Sequence, residues 1–243
     1  MRTSRVYIEG PLAAGSRSRL RGGAANHVIR VLRLRVGDAL VVFDGTGGEY
    51  PATIDELGKD TVVVTLGEHR GLERESPLVI TLAQGIARAE RMDWVVQKAT
   101  ELGVARIVPL VTERSVVRLD AQQAQTRLRH WRAVVIAACE QCGRNHLPEV
   151  AAPTSLADLL SAVPSGSVRL MLSPGAALRA RDLDPQTQSV IVLVGPEGGF
   201  CESEQQAAER SGFRALTLGP RVLRTETAAL ATLVALQERL GDG

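Results

Sequence analysis

The chain has 243 residues, a net charge of +2 at pH 7 and a hydrophobic content of 44%. With a charged fraction of 23%, this composition predicts a packed globular core. The longest apolar runs are far too short to cross a bilayer, which excludes membrane-spanning helices and a membrane partner. Aromatic residues make up only 3% of the chain, so the core is expected to consist mainly of Val, Leu, Ile and Ala.

Two further features bear on compartment and metal binding. No apolar signal-peptide core follows residues 1–5, so a cytoplasmic location is expected. Three cysteines, an odd number, do not suggest a disulfide framework. Cys139 and Cys142, with His146 nearby, form a single pair on a predicted helix, which is a weak signal for structural zinc. Buried helical thiols are the favoured interpretation, and no metal is expected.

Positive charge is concentrated at the N-terminal end. Residues 1–35 contain eight arginines and one acidic residue, Glu9, which gives +7 and leaves −5 on the other 208 residues. This asymmetry predicts that the N-terminal part contacts a polyanion. Arginine suits RNA because its guanidinium group binds phosphate bidentately and stacks on bases. The alternative is a solvated arginine-rich surface in a chain that has only two lysines, Lys59 and Lys98.

In chain order, the N-terminal third reads as a small β-rich unit. Short apolar runs separated by Gly-containing turns predict strands at residues 6–8, 39–43, 49–54 and 61–66. A helix is predicted at residues 27–34, with Asn26 as its N-cap. Residues 67–77 are polar and charged and are interpreted as a linker. The domain boundaries are therefore placed at residues 1–71 and 76–243.

From Leu78 onward, predicted strands alternate with predicted helices. The strands fall at residues 78–83, 107–111, 169–172, 190–194 and 215–218. The helices fall at residues 92–102, 121–142, 155–160, 202–210 and from 225 onward. Gly103 is expected to end the first helix, while Thr154 and Thr225 are expected to cap the third and the last. This alternation predicts an α/β domain with a mostly parallel sheet and a ligand cleft at the strand ends.

Two Gly-Pro turns, at residues 195–196 and 219–220, each follow an apolar strand. The first turn matches neither the dinucleotide-binding nor the P-loop pattern. Pro196 has no N–H group to offer a phosphate, and Glu197 would repel one. S-adenosylmethionine fits better, because it carries a positive sulfonium and no phosphate. The alternative is that Gly198 and Gly199 only form a tight turn between a strand and a helix.

Motifs along nearly the whole chain resemble those of one family. The segments VGPEGGF (194–200) and LTLGPRVLRTETAAL (216–230) resemble the C-terminal signature of the SPOUT methyltransferases. More narrowly, they resemble the RsmE family, which methylates N3 of a uridine in 16S ribosomal RNA. Residues 26–38, 97–104, 112–115 and 140–148 resemble further signatures of that family, in the same order.

The resemblance implies the fold and the partners. It implies an N-terminal PUA-like β-barrel domain that binds RNA and a C-terminal α/β SPOUT methyltransferase domain with a trefoil knot. It further implies a homodimer, S-adenosylmethionine as cofactor, and 16S rRNA or the small ribosomal subunit as partner. The predicted activity is methyl transfer to N3 of a uridine. The alternatives are a SPOUT enzyme acting on another RNA nucleotide, a non-catalytic RNA-binding ribosome-assembly protein, and a nucleotide-dependent enzyme.

The resemblance also implies site residues. Cofactor contacts are expected in three loops, at Leu172, Ser173, Gly195, Glu197, Gly199, Leu218, Gly219, Val222, Leu223 and Thr225. RNA contacts are expected at Arg5, His27, Arg30, Arg33 and Arg144. Arg224 and Glu197 are the predicted catalytic residues, because uracil N3 must lose a proton while negative charge develops on its carbonyl oxygens. Glu140 and Glu226 are alternative bases, and each of these side chains has a structural alternative such as core packing or helix-end stabilisation.

Overall fold

The computed structural model describes residues 4–115 and 119–243. Its contacts divide the chain into two compact units. The first unit is Met1–Glu75 with Ile136–Leu147, and the second is Ser76–Val135 with Pro148–Gly243. The domain ranges 1–71 and 76–243 stay a prediction. They did not assign residues 136–147 to the first unit, with which these residues group by their contacts. Within the described ranges, every helix is too short or too polar to cross a membrane.

A five-stranded sheet forms the first unit. Its strands are β1 (Arg5–Tyr7), β2 (Arg17–Arg21), β3 (Ala39–Phe43), β4 (Tyr50–Leu57) and β5 (Thr61–Leu66). The order across the sheet is β1-β3-β4-β5-β2, with β1 parallel to β3 and the other pairs antiparallel. Alternate apolar side chains such as Leu40, Val42, Val62 and Val64 form its core. The sequence did not predict β2, because only Leu20 in this arginine-rich strand is buried.

Two helical segments follow β2. Helix α1 (Gly22–Asn26) leads directly into a π-helical turn, His27–Val31. Asn26 has helical backbone angles and makes no capping hydrogen bond, so its predicted N-cap role is wrong. The helical segment begins before the predicted residue 27 because Ala25 packs in the same core as Val28. It ends before Arg33, whose φ of 53° lies in the left-handed region.

The second unit contains a seven-stranded parallel sheet, which confirms the predicted α/β class. Its strands are β6 (Val79–Gly85), β7 (Arg106–Val111), β8 (Glu149–Val150), β9 (Thr154–Ser155), β10 (Val168–Leu172), β11 (Ser189–Val194) and β12 (Arg214–Leu216). The order is β12-β10-β11-β6-β7-β8, and β9 also pairs with β7. Strand β11 is central, and its residues 190–194 are all buried, as expected for a parallel strand covered on both faces.

The remaining helices connect these strands. They are α2 (Ala89–Glu101), α3 (Ala121–Cys142), α4 (Leu156–Ser161), α5 (Glu202–Arg210) and α6 (Thr225–Leu240). Gly103 has a φ of +79° just beyond α2, which confirms its predicted role in ending that helix. The cap of α4 is Ser155, whose hydroxyl accepts from the N–H of Asp158 at 3.1 Å, and the prediction of Thr154 was wrong by one residue.

Candidate active site

A cavity of about 590 Å³ opens in the second unit at the carboxyl ends of β10, β11 and β12. Its walls are the three loops that follow these strands, the start of α6, and the side chain of Arg91 from α2. Ligands of open α/β sheets bind at this edge. All ten residues predicted to contact a cofactor line the cavity: Leu172, Ser173, Gly195, Glu197, Gly199, Leu218, Gly219, Val222, Leu223 and Thr225. Arg224, predicted to be catalytic, lines it as well.

The turn after β11 forms the tightest part of the wall. A Cβ atom on Gly195 would lie 3.0 Å from the Cα of Gly199, so this turn closes on itself with no space for a side chain. Its other side packs against the end of β6, where a Cβ on Gly85 would lie 2.4 Å from the Cδ of Pro196. The end of β6 is therefore in close backbone contact with the turn that lines the cavity.

The hydroxyl of Thr225 joins this turn to the last helix. It donates to the carbonyl oxygen of Gly195 at 2.6 Å and accepts from Nε2 of Gln84 at 2.8 Å. Both Thr225 and Gln84 are buried. Because the hydroxyl is used in this way, it does not cap α6, and the predicted capping role of Thr225 is wrong. The network fixes the start of α6 against the ends of β6 and β11.

Two carboxylates beside the cavity share one cation. Arg91 donates to Oε1 of Glu197 at 3.2 Å, and its Nε lies 3.8 Å from Oε1 of Glu226. Burial alone would raise the pKa of the Glu197 carboxyl, but the N–H groups of Glu197 and Arg88 and the charge of Arg91 outweigh it and lower the pKa. Glu197 is therefore anionic at neutral pH. The other oxygen of Glu226 is buried, and no described residue gives it a hydrogen bond.

A neighbouring loop supports the turn from outside. Residues 112–115, which carry one of the family-like motifs, contact both the turn and the helix that follows it. Arg114 donates to the carbonyl oxygen of Gly198 at 3.1 Å, and the N–H of Glu113 donates to Glu204 at 2.9 Å. Residues 116–118 lie outside the described residues.

Two of the predicted RNA contacts form ion pairs within the first unit, where Arg5 is half-buried and Arg144 is buried. Arg5 forms an ion pair with Glu49, and its guanidinium group lies 4.9 Å above the ring of Phe43. Arg144 is paired with Glu75, its Nε lying 3.0 Å from the carboxylate. Each charge is therefore already matched by a carboxylate of the same unit. These ion pairs leave Arg5 and Arg144 less available to phosphate than an exposed arginine, and their RNA contacts stay a prediction.

The other three predicted RNA contacts lie on or beside the π-helical turn. The side chain of Arg30 is 69% exposed, and its ion pair with Asp60 is long, at 4.0 Å. Arg33 is exposed, and His27 is half-buried beside a smaller cavity. Arg30 and Arg33 are thus accessible to a polyanion. His27 is less exposed and faces the smaller cavity instead.

The remaining candidates from the sequence have structural partners. Glu140 lies in the first unit and accepts from the N–H of Tyr7 at 3.0 Å. Cys139 is buried, and its Sγ donates to the carbonyl oxygen of His146 at 3.7 Å. Hydrogen bonding with Cys142 and burial raise the pKa of Cys139, so the thiol stays protonated. Among the described residues, no His, Cys, Asp and Glu side chains group in a way that could hold a metal ion.

Sequence reasoning missed Gln84 and Arg91. Gln84 is the one polar side chain in the buried stretch 82–87, and such a residue signals a specific hydrogen-bonding role. Arg91 had no comparable signal, because its partners lie 106 and 135 residues away in the chain. Only the fold brings this helix to the cavity.

Two family models match the chain. The model described as an RNA methyltransferase domain matches residues 74–237. The model described as an RNA methyltransferase PUA domain matches residues 20–67 and supports the PUA-like assignment of the N-terminal part.

Known proteins match over nearly the full length. The ribosomal RNA small subunit methyltransferase E of Buchnera aphidicola (Schizaphis graminum strain) is 33% identical, with 99% of this chain and 98% of that protein covered. The protein of the same name from Bacillus subtilis is 31% identical, with 88% and 87% covered.

Solved structures agree with this assignment. A putative methyltransferase from Legionella pneumophila, in complex with S-adenosylmethionine, is 41% identical and superimposes with a TM-score of 0.97 over 100% of both chains. The Neisseria gonorrhoeae ribosomal RNA small subunit methyltransferase E, bound to S-adenosylmethionine, is 38% identical with a TM-score of 0.92 over 99% of both chains. The chain therefore belongs to the ribosomal RNA small subunit methyltransferase E family, which confirms the resemblance found in its motifs.

Proposed function

We propose that this protein transfers a methyl group from S-adenosylmethionine to N3 of a uridine in 16S ribosomal RNA. One observation carries the proposal. The ten positions that the family pattern assigns to the cofactor are scattered over residues 172–225, and yet they all line a single cavity at the ends of three strands.

The cavity suits this cofactor. Its volume of about 590 Å³ is in the usual range for small-molecule sites. Leu172, Leu218 and Leu223 supply apolar surface for an adenine ring, and the glycines allow backbone groups to approach the ligand. The anionic Glu197 complements a positive ligand and disfavours a phosphate. S-adenosylmethionine, when bound, supplies the methyl group on a positively charged sulfonium.

We assign Arg224 to the stabilisation of the uracil ring during the reaction. It is exposed, and it lines the cavity immediately before α6. Methylation at N3 requires the N3 proton to pass to water or to another base, and the negative charge left on the ring spreads onto the two flanking carbonyl oxygens. A guanidinium group beside those oxygens lowers the energy of that charge. Glu197 is a poor proton acceptor because its pKa is lowered, so we assign it charge complementarity with the cofactor.

Within this proposal, the N-terminal part supplies RNA binding. The PUA match covers the accessible Arg30 and Arg33, and the partner is 16S rRNA, either free or within the small ribosomal subunit. An rRNA substrate also supports the expected cytoplasmic location. Residues 1–71 and 76–243 remain the proposed domain boundaries.

The proposal includes a trefoil knot and a homodimer, as in SPOUT methyltransferases. The close contact of Gly85 with Pro196 and the hydrogen bonds of Thr225 support a C-terminal segment held tightly against the sheet. Trp94 on α2 and Val234 on α6 are 46% and 47% exposed, and these two helices pack together. A partner subunit docked on these two helices would cover both side chains. Analytical ultracentrifugation tests the homodimer, and a monomer at micromolar concentration would exclude it.

The activity is tested with labelled S-adenosylmethionine and three acceptors: unmodified small ribosomal subunits, free 16S rRNA and tRNA. Digestion to nucleosides is expected to yield N3-methyluridine from small-subunit RNA only. A different methylated nucleoside would replace the uridine assignment with another target. Binding of S-adenosylmethionine without transfer to any acceptor would exclude the rRNA substrate. If S-adenosylmethionine neither binds nor donates a methyl group, the alternative of a non-catalytic RNA-binding protein would replace this proposal.

A further inference from the structure

A second cavity, of about 380 Å³, lies within the first unit. Five polar or charged residues line it together with the apolar Leu32 and Ala137; they are Ser4, Arg5, His27, Glu140 and Gln141. Several polar groups that converge on a cavity beside apolar surface are typical of a binding site. The proposed methyl-transfer reaction uses none of these residues.

Electrostatics at this cavity disfavour an anionic occupant. Arg5 also lines it, but the charge of Arg5 is matched by Glu49. Burial raises the pKa of Glu140, an effect only partly offset by the hydrogen bond from the N–H of Tyr7 and by the nearby His27 and Arg5. The side chains of Ser4, His27 and Gln141 supply hydrogen-bond donors and acceptors, and Glu140 supplies acceptor oxygens. The walls therefore suit a ligand that carries both donors and acceptors.

The surrounding surface indicates that this ligand belongs to RNA. His27 and Leu32 flank Arg30 in sequence, and the side chain of Arg30 is 69% exposed. An exposed arginine for a phosphate and a cavity with donors and acceptors for a base edge match the way single-stranded RNA is bound, with contacts to the backbone and to unstacked bases.

We propose that the cavity lined by His27, Glu140 and Ala137 takes one unstacked nucleobase of the substrate RNA, distinct from the methylated uridine. The base edge hydrogen-bonds to Glu140 and Ser4, and its ring lies against Leu32 and Ala137. This inference rests on the proposed function, because it requires an RNA substrate. It adds a second point at which the sequence or the shape of the RNA is recognised.

Ala137 allows a direct test, because it is exposed on α3 and lines the cavity. Ala137→Leu fills the cavity without removing a polar group, and leucine is a good helix former. Ala133→Leu is the matched control, since this residue is exposed one turn earlier on the same helix and does not line the cavity. We expect Ala137→Leu to weaken binding to a 16S rRNA fragment containing the methylated site about tenfold, as for loss of one base contact. Ala133→Leu is expected to bind as the wild type does.

Abasic substitution identifies the base. In a series of fragments that each lack one nucleobase, the wild-type protein should lose about tenfold at one position other than the target uridine. Ala137→Leu should show no further loss at that position, because the contact is already gone. Additive losses, or wild-type affinity in Ala137→Leu, would overturn the nucleobase site while leaving methyl transfer intact. Failure of the wild type to methylate small-subunit RNA would instead overturn the proposed function, and this inference with it.

A phosphate occupant is distinguished by Glu140→Gln, which keeps an acceptor for the N–H of Tyr7 but removes any negative charge. With a nucleobase in the cavity, the salt dependence of binding should not change. Tighter binding with a steeper salt dependence would assign the cavity to a phosphate and overturn the nucleobase site.

Discussion

Arg91 on α2 donates a hydrogen bond at 3.2 Å to Glu197, which lies 106 residues further along the chain in the turn after β11. The same guanidinium group reaches Glu226 at the start of α6. One side chain thus ties two of the cavity walls to a helix that sequence reasoning had not connected with the site.

Replacement of Arg91 is expected to weaken cofactor binding by loosening these walls. A hydrogen bond to a charged group contributes about 1.5–3 kcal/mol, and partial exposure places this one at the low end. Arg91→Gln should therefore raise the Kd for S-adenosylmethionine about tenfold in isothermal titration calorimetry, with Arg91→Lys in between. Arg106→Gln removes another exposed Arg–Glu pair, with Glu149, and is the control. Equal affinity of Arg91→Gln and the wild type would exclude this positioning role.

The lowered pKa of Glu197 predicts a pH-dependent contribution to stability. Burial opposes the shift, but the N–H donors and Arg91 outweigh it. The contribution is present above the ordinary glutamate pKa of about 4.3 and is lost as the pH falls through the lower folded-state pKa. Urea unfolding at pH 6 should show the wild type more stable than Glu197→Gln by less than about 1 kcal/mol, because the pair is partly exposed.

The difference should disappear at a pH below the folded-state pKa of Glu197. Glu209→Gln, at an exposed position on α5, is expected to have no such pH-dependent effect. A difference between Glu197→Gln and the wild type that persists unchanged in acid would point to packing instead of charge.

Loss of the Thr225 hydroxyl is expected to destabilise the second unit. Thr225→Val keeps the shape but leaves the carbonyl of Gly195 and the amide of Gln84 without their buried partner. The free energy of unfolding should fall by about 1–3 kcal/mol, whereas Thr225→Ser, which keeps the hydroxyl, should lose less. Thr227→Val, at an exposed position two residues later, is the control. Wild-type stability of Thr225→Val in urea would show that the network contributes nothing.

Gly85→Ala tests the backbone contact between the end of β6 and the turn after β11. The new methyl group would lie 2.4 Å from atoms of Pro196, so the two strand ends must separate. Overpacking of this kind costs about 1–3 kcal/mol, and the displaced turn should also weaken cofactor binding. Gly71→Ala meets no atom within 4 Å and should change stability by less than about 0.5 kcal/mol. The midpoint of thermal unfolding, measured for both variants, is expected to be lower for Gly85→Ala than for Gly71→Ala. Equal midpoints would show that the strand end and the turn are not in close contact.

Arg30 and Arg33 should contribute phosphate contacts. Replacing both with glutamine is expected to weaken binding to small-subunit RNA and to reduce the slope of log K against log salt by about 1.5, for two lost phosphate contacts. Arg179 and Arg181 are also exposed, and their double replacement is the control. An unchanged slope in the Arg30/Arg33 variant would remove both residues from the RNA surface.

Local pattern was sufficient for most secondary structure. The fully apolar run at residues 190–194 predicted β11, and helical spacing gave the bounds of α3 and α5 as observed. Prediction was wrong where tertiary packing overrides local preference. Asn26 has a typical capping side chain, but packing of Ala25 in the core carries the helical backbone through it.

The cavity was predictable only in part. The motif-bearing loops could be identified because their glycines and prolines restrict the backbone locally. Arg91 could not, since its partner Glu197 lies 106 residues away in the chain. Gln84 stands out as a polar residue in an apolar stretch, but its partner Thr225, 141 residues away, could not be named. The ion pairs of Arg5 and Arg144 were missed for the same reason, because charge counted along a sequence does not reveal which arginines already have a carboxylate partner.

The first unit is built from two separate segments of the chain, and this matters for anyone who wishes to express its RNA-binding part alone. A fragment that stops at Glu75 lacks residues 136–147 and with them the side chain of Asn145, which accepts a hydrogen bond from Arg5. It also loses the carboxyl group that holds the N–H of Tyr7. Such a truncated gene product would leave two hydrogen-bond donors of its first strand without these partners. A recombinant version therefore needs the later segment grafted on through an engineered connection.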